Sequence, residues 1–221
     1  MSSTSSIQPD VGEAMRVPAR RYGVLLSRRG RQNPYMTLIG ALLSHRTKDE
    51  VAEKAEERLF GKASTSEGTL LLSESKIRKL IYPVVFCRRK ARMIREASKI
   101  LVEKHGGKVP MDGELLTELP GVGGKTADCA LCFAFGKAVM PIDAHVEVVS
   151  KRLGISDEGD GSEAVREKLH LLIPPRKRMA ANWLLVEFGK EFCGSIRPRC
   201  PPCPIMGFRK RRARSLYARV G

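Results

Sequence analysis

Residues 119–128 read Leu-Pro-Gly-Val-Gly-Gly-Lys-Thr-Ala-Asp, and this stretch decides how the rest of the chain is interpreted. It joins two segments with helical spacing, and its glycines let backbone N–H groups approach an anion where a Cβ would stand in the way. These N–H groups lead into the helix that begins near Lys125, a position suited to a DNA phosphate. The alternative is a tight helix–helix turn in which glycine serves the backbone conformation alone.

Helical spacing of apolar residues continues on both sides of this turn. Asn33-Pro34 opens one helix and Gly61 closes another, as expected of these residue types. Alternating strand patterns with turn dipeptides are not found in the sequence. The sequence therefore predicts an all-α protein of about ten helices. The predicted helices cover residues 22–26, 34–43, 49–60, 73–82, 90–104, 115–119, 125–135, 146–153, 162–173 and 178–192.

Composition and charge narrow the function. The chain has 221 residues, of which 42% are hydrophobic, enough to bury a core. No run approaches the roughly 18 apolar residues of a membrane-spanning helix, which excludes a transmembrane protein. Forty Lys and Arg against 24 Asp and Glu give a net charge of +16. Such a field attracts polyanions, and nucleic acid is the first candidate. A basic surface that serves solubility, or one that touches anionic lipid, is the alternative.

A second motif, Ile142-Asp143-Ala144-His145, follows the 119–128 stretch. Together they resemble the helix-hairpin-helix DNA glycosylases of the endonuclease III type, and the resemblance runs from about Pro34 to Cys203. It implies two helical lobes with a DNA-binding cleft between them. The expected organisation is a disordered N-terminus at 1–15, a discontinuous lobe of 16–35 plus 143–209, a helical barrel with the hairpin at 36–142 and a flexible basic tail at 210–221.

Lys125 and Asp143 match the family's catalytic lysine and aspartate. A lysine amine can attack the sugar C1′ of a damaged nucleotide, expel the base and remain as a Schiff base, from which elimination breaks the strand. A carboxylate stabilises the positive charge that develops on the sugar. Alone, Lys125 is one of 40 basic residues and Asp143 is a typical helix N-cap; their occurrence together with the hairpin indicates catalysis.

DNA contacts are expected from the hairpin and two loops. An enzyme that extrudes a nucleotide must fill the vacated stack. In the first loop, which resembles the family's Leu-Leu-Ser segment, Arg46 stands where glutamine commonly inserts. In the second, Phe86 stands where the family has an apolar wedge, often leucine. A phosphate-contacting Arg46 and a core Phe86 are the alternatives, and His145 is expected to brace its helix start beside the DNA. The hairpin residues assigned to DNA are Leu119, Gly121, Val122, Gly123 and Gly124.

Cysteine spacing raises the question of a metal. No signal-peptide core follows Met1, so a reducing compartment and metal ligands are expected before disulfides. Cys193, Cys200 and Cys203 match three ligands of the family's iron–sulfur cluster, but Arg209 stands in the fourth place. Three interpretations stay open: a cluster with another fourth ligand, a three-iron cluster, or a metal-free loop packed by its prolines. The lysine chemistry itself needs no metal.

The sequence thus predicts a DNA glycosylase that removes oxidised pyrimidines and cleaves the abasic site through Lys125. One alternative is the same fold with another base choice: mismatched thymine, uracil or adenine, or oxidised guanine. Another is a non-catalytic protein that binds duplex DNA through the hairpin. The expected partner is duplex DNA with a damaged base or abasic site, the expected state a monomer without membrane contact, and the expected location the cytoplasm with its nucleoid, or a eukaryotic nucleus.

Overall fold

The computed structural model describes residues 16, 18–22, 33–194, 197–204 and 206. Within these ranges the chain forms helices and turns and no strand, so the all-α prediction is confirmed. The predicted N-terminal and C-terminal tails, Arg209 and most of the predicted 22–26 helix lie outside the described residues. After helical residues at 16 and 18–22, the order is α1 (Pro34–Ser44), α2 (Asp49–Phe60), α3 (Ser66–Leu70), α4 (Glu74–Ile81), α5 (Cys87–His105), α6 (Gly113–Thr117), α7 (Gly124–Cys129), a π-helical turn (Ala130–Ala134), α8 (Ala144–Leu153), α9 (Ser162–Leu172), a 3-10 turn (Pro175–Lys177) and α10 (Arg178–Glu191).

Helix α1 is the centre of the first half of the chain. Its start is fixed by Asn33, whose Oδ1 accepts a hydrogen bond from Met36 N at 3.1 Å, and by Pro34 at the first helical position. Both are favoured there, because the first N–H groups of a helix have no partner within it. The helix packs against α2, α5, α7 and the π-helical turn. Four of its aliphatic side chains are at most 3% exposed, namely Leu38, Ile39, Leu42 and Leu43, and burial of each contributes about 1.5–3 kcal/mol.

The described residues pack into two units. The first is continuous and lies within Arg31–Val139; the second combines the described parts of Met1–Gly30 and Met140–Gly221. The sequence placed these boundaries at 35/36 and 142/143. Each unit has its own apolar core, as expected of separately packed lobes.

In the second unit, helices α8, α9 and α10 pack around Val149, Leu169 and Phe188, each 0% exposed. The side chains of Arg21 and Tyr22 both bond the Glu191 carboxylate, which attaches the N-terminal helical residues to α10. Burial, with the hydrogen bond to Glu191, raises the pKa of Tyr22 to about 12. Along the described residues, none of the helices has the length and apolarity that a membrane crossing requires.

Candidate active site

The 119–128 stretch folds into a tight turn between α6 and α7. Leu119 O accepts a hydrogen bond from Val122 N at 3.0 Å, and Gly121 has φ +81°. With Pro120 before it, this is the pattern of a type II turn, which needs a positive φ at its third residue. A Cβ on Gly121 would lie 2.9 Å from Met93 Sδ and 3.2 Å from a Leu42 methyl carbon. Glycine at 121 is therefore required by conformation and by packing.

Gly123 is different, because neither requirement applies to it. It has φ −95° and ψ 178°, and an added Cβ would have nothing within 4 Å. Gly123 is the N-cap of α7 and provides no side-chain cap, and the first N–H groups of a helix have no acceptor within the helix. The absence of a Cβ here keeps the backbone open to solvent and to whatever approaches it.

Leu119 and Val122 lie on the opposite side of the turn. They are 2% and 5% exposed and belong to the core of the first unit. Their side chains anchor the hairpin to the core, so these two residues can meet a ligand through their backbone alone.

The hairpin forms one wall of a cavity of about 940 Å³ within the first unit. Arg46 and Phe86 lie on its other walls, and Lys125 lies where the hairpin enters α7. The structure thus brings together every site residue that the sequence placed in the first unit. The lining consists of Leu42, His45, Arg46, Phe86, Arg89, Lys90, Met93, the hairpin residues 117–124, Lys125 and Thr126.

Arg46 and Phe86 share an unusual backbone conformation. Their φ values are +55° and +58°, and they are the non-glycine residues with positive φ among those described. This conformation costs about 1–2 kcal/mol for a residue with a Cβ. Phe86 is 59% exposed, which removes the core alternative for its side chain. Both loops thus hold an exposed side chain over the cavity on a strained backbone.

Lys90 supports the loop that carries Arg46, a role that sequence reasoning missed. Its Nζ donates to Leu43 O and His45 O, both at 2.7 Å, and to Thr47 Oγ1 at 3.3 Å. The side chain is 5% exposed, and burial lowers its pKa to about 8. The ammonium lies at the carboxyl end of α1, where a helix favours positive charge. Lys90 therefore joins the first loop to α5, the helix that begins after Phe86.

The charge in this cavity is predominantly positive. Partial burial, together with the charges of Lys90, Arg46 and Lys125, lowers the pKa of His45. Glu118 is the acidic group among the residues that line the cavity. A wall of several cations favours a polyanionic ligand.

Lys125 also lines a second cavity of the first unit, of about 480 Å³. It is half-buried, one turn of helix before Cys129. Lys125 therefore lines both the basic cavity beside the hairpin and this second cavity.

Asp143 and His145 belong to the second unit. Asp143 Oδ1 accepts a hydrogen bond from Val146 N at 2.8 Å and caps α8. The N-cap role is thus present, and it occupies one lone pair of a carboxylate that has several. His145 packs against Gly189 of α10, where an added Cβ would lie 2.7 Å from the His145 Cβ. Its Nδ1 has no hydrogen-bond partner among the described residues.

Comparison with known proteins matches residues 39–175 to the HhH-GPD superfamily of base excision DNA repair proteins. The chain belongs to this superfamily. It is 34% identical to endonuclease III of Bacillus subtilis over 79% of this chain and 80% of that protein. The corresponding figures for endonuclease III of Thermotoga maritima are 39%, 77% and 80%. A solved structure of a trapped covalent intermediate of endonuclease III with DNA superposes with a TM-score of 0.86 and 30% identity, covering 95% of this chain and 98% of that one.

The cysteine loop of this superfamily member does not provide a four-cysteine site. Cys193 and Cys203 are 7% and 9% exposed and belong to the apolar core of the second unit. Arg152 Nη1 donates to Cys193 O at 2.8 Å and to Gly194 O at 3.2 Å. Among the described residues, no three His, Cys, Asp or Glu side chains are placed to hold a metal ion. The sequence supplies three cysteines here, with Arg209 in the fourth place, one thiolate fewer than a four-cysteine cluster takes.

Proposed function

We propose that this chain is a DNA glycosylase with abasic-site lyase activity that acts on duplex DNA through Lys125. The observation that carries the proposal is the position of Lys125, which follows the hairpin directly and lines two cavities of the first unit. The similarity to a trapped covalent complex of endonuclease III with DNA supports it. The compartment is then the one that holds the genomic DNA.

The proposed reaction begins with the neutral amine of Lys125. It attacks C1′ of the extruded nucleotide, and the glycosidic bond breaks so that the base leaves with the bonding electrons and takes up a proton. The sugar ring opens to give a Schiff base between Nζ and C1′. Loss of a C2′ proton then expels the 3′ phosphate by β-elimination, and water hydrolyses the Schiff base to regenerate the lysine.

In this proposal, Asp143 supplies the negative charge that stabilises the cationic sugar. The hydrogen bond from Val146 N fixes the carboxylate at the start of α8. The capping bond and the catalytic charge are compatible, because a carboxylate accepts several hydrogen bonds at once. His145 braces the same helix start by packing on Gly189.

DNA binding is proposed for the hairpin backbone and the two strained loops. The exposed backbone at Gly121, Gly123 and Gly124 meets a phosphate. Arg46 can hydrogen-bond the orphaned base, and Phe86 can stack in the gap left by extrusion. For the base removed we propose oxidised pyrimidines. Mismatched thymine is the second candidate, because a thermostable thymine-DNA glycosylase superposes with a TM-score of 0.77 at 25% identity.

For the cysteine loop we propose a structural, metal-free role. The core contacts of Cys193 and Cys203 and the hydrogen bonds of Arg152 hold it. Protein purified without air is expected to be colourless and to contain no stoichiometric iron or sulfide. A brown protein with visible absorption would overturn this role.

Borohydride trapping on duplexes with single lesions tests the proposed function. Lys125→Ala is expected to abolish the trapped adduct and strand cleavage while DNA affinity stays within a few-fold. Lys137→Ala is the matched control, because this exposed lysine lies in the same unit outside both cavities. Wild-type protein that traps on no lesion and on no abasic site would refute the enzyme and favour a duplex-binding protein.

A further inference from the structure

The second cavity of the first unit is built from the faces of three segments. On α1 and its N-cap the lining residues recur every three or four positions, two of them as adjacent pairs. On α2, and again from α7 into the π-helical turn, the spacing is four, so that each segment presents a single face. Apolar side chains form most of the wall, with Lys125 in it. The lining residues are Asn33, Met36, Thr37, Gly40, Ala41, Ser44, Glu56, Phe60, Lys125, Cys129 and Phe133.

Glu56 is the acidic group in this lining. Its carboxylate lies against the backbone of α1 at Gly40, where an added Cβ would be 2.9 Å from Glu56 Oε1. Within the described residues Glu56 has neither a hydrogen bond nor an ion pair. Its helix neighbours Glu53 and Glu57 are exposed, whereas Glu56 is half-buried. Neither Glu56 oxygen is completely buried, so the carboxyl group can meet a ligand in the cavity.

The surroundings of Glu56 favour its protonated form. Burial, and then the negative charges of Glu53 and Asp49, raise its pKa to about 7. The other titratable groups of the cavity are Lys125 and Cys129. Helix α1 contributes no charged side chain to the lining, and α4, which also packs on α2, contributes the apolar Ile77 and Ile81 to the core. Near neutral pH the carboxyl group is therefore protonated in much of the population, with one O–H donor beside one acceptor.

The position of Lys125 determines what reaches Glu56. The amine attacks C1′, and the base is bonded to that same carbon. A base that enters the cavity from C1′ thus extends away from Lys125 toward the other walls, between the apolar side chains of Met36, Phe60 and Phe133. We infer that Glu56 is a specificity-determining residue whose carboxyl group hydrogen-bonds the imide edge of an extruded thymine- or uracil-derived base. This inference rests on the proposed glycosylase function.

The imide edge offers an N–H beside a carbonyl oxygen, which is the complement of a protonated carboxyl group. The O–H donates to the base carbonyl, and the carboxyl C=O accepts from the base N–H. An ionised Glu56 has no donor and repels the base carbonyl, whereas it still accepts from the exocyclic amine of a cytosine-derived base. The inference therefore predicts a pH dependence that differs between these two classes of pyrimidine.

The experiment compares wild type, Glu56→Gln, Glu56→Ala and the exposed control Glu57→Gln. The substrates are duplexes with one 5,6-dihydrothymine, one 5-hydroxycytosine or a preformed abasic site. Base release is measured as kcat/KM from about pH 6 to about pH 8.5, on either side of the range in which Glu56 titrates. Borohydride trapping at the abasic site, where no base is present, reports Lys125 chemistry and folding.

As pH rises across this range, kcat/KM for dihydrothymine release by wild type and by Glu57→Gln is expected to fall about tenfold relative to that of Glu56→Gln. The amide of glutamine keeps a donor and an acceptor at every pH. Glu56→Ala is expected to release dihydrothymine about tenfold more slowly at neutral pH, with trapping at the abasic site within twofold of wild type. Equal rates for Glu56→Ala and wild type, or equal losses in base release and trapping, would overturn the inference. Wild type that traps at abasic sites and releases 5-hydroxycytosine but no dihydrothymine overturns the inference alone, whereas wild type without trapping overturns the proposed function as well.

Discussion

Two of the hairpin glycines, Gly121 and Gly123, provide a test that separates the conformational role of the hairpin from its binding role. Gly121→Ala places a Cβ on a residue with φ +81°, 2.9 Å from Met93 Sδ and 3.2 Å from Leu42. The left-handed backbone costs about 1–2 kcal/mol for alanine, and overpacking adds about 1–3 kcal/mol. A loss of about 2–5 kcal/mol in the free energy of unfolding is expected. Gly123→Ala meets open space at φ −95°. Its stability is expected to stay within about 1 kcal/mol of wild type, because the entropy that alanine removes from the unfolded chain is offset by its poorer fit at a helix N-cap.

For DNA affinity we expect the reverse, with the larger loss in Gly123→Ala. A Cβ at 123 separates the backbone N–H groups from a phosphate, and a hydrogen bond to a charged group is worth about 1.5–3 kcal/mol, a loss of about tenfold or more in affinity. Urea unfolding and fluorescence anisotropy with an abasic-site duplex measure the two quantities. If Gly123→Ala binds as tightly as wild type, the phosphate contact at Gly123 is wrong. If Gly121→Ala unfolds at the wild-type urea concentration, the turn geometry is wrong.

Two further predictions concern buried charged groups of the first unit. Lys90→Met leaves Leu43 O and His45 O without the donor that now lies 2.7 Å from each. Urea unfolding is therefore expected to show a loss of about 2–4 kcal/mol in stability. Lys99→Met, on the exposed face of the same helix, is the control, and an equal loss in both variants would contradict the role of Lys90. The fold raises the pKa of Glu56 to about 7. The folded protein thus holds this proton more tightly than the unfolded chain, and the contribution of Glu56 to stability falls as pH rises from about 4.5 to about 7. At pH 8 the free energy of unfolding of Glu56→Gln is therefore expected to exceed that of wild type by about 1–2 kcal/mol, a figure that allows for screening by water in the cavity. At pH 4.5 the two are expected to be equal. If the stabilities of wild type and Glu56→Gln depend on pH in the same way, the burial of this carboxyl group is contradicted.

Sequence patterns predicted helices well where the ends carry strong signals. The prediction for α2, residues 49–60, agrees with the observed Asp49–Phe60, because acidic residues open the helix and Gly61 closes it. Helix α3 was missed, since its five residues are too few to show a period and Thr65 is its main signal. The predicted 90–104 helix begins earlier, at Cys87, because the left-handed residue Phe86 ends the preceding turn.

The site could be predicted only where it resembles a motif. The hairpin, Lys125 and Asp143 lie in contiguous stretches that can be read directly. Glu56 and Lys90 could not be found in this way, because a glutamate among glutamates on α2 and one lysine among 40 basic residues look like a solvated surface. Their roles depend on contacts with α1 across the core, and one sequence contains no signal for such contacts.

The π-helical turn after Cys129 affects how the wall formed by Lys125, Cys129 and Phe133 in the second cavity can change. Phe135 N bonds Ala130 O, five residues back, and such a turn rotates less per residue than an α-helix. In a regular helix Phe133 would lie about 80° around the axis from Lys125; the wider turn reduces this angle and keeps both beside the same space. Deleting Ala134 would restore regular winding while Phe133 stays eight residues from Lys125, which swings the phenyl ring aside. Deleting Ala130, Leu131 or Cys132 instead leaves the ring seven residues away, within about 20° of Lys125 on a regular helix, so the position of a deletion in this turn decides whether the pocket changes.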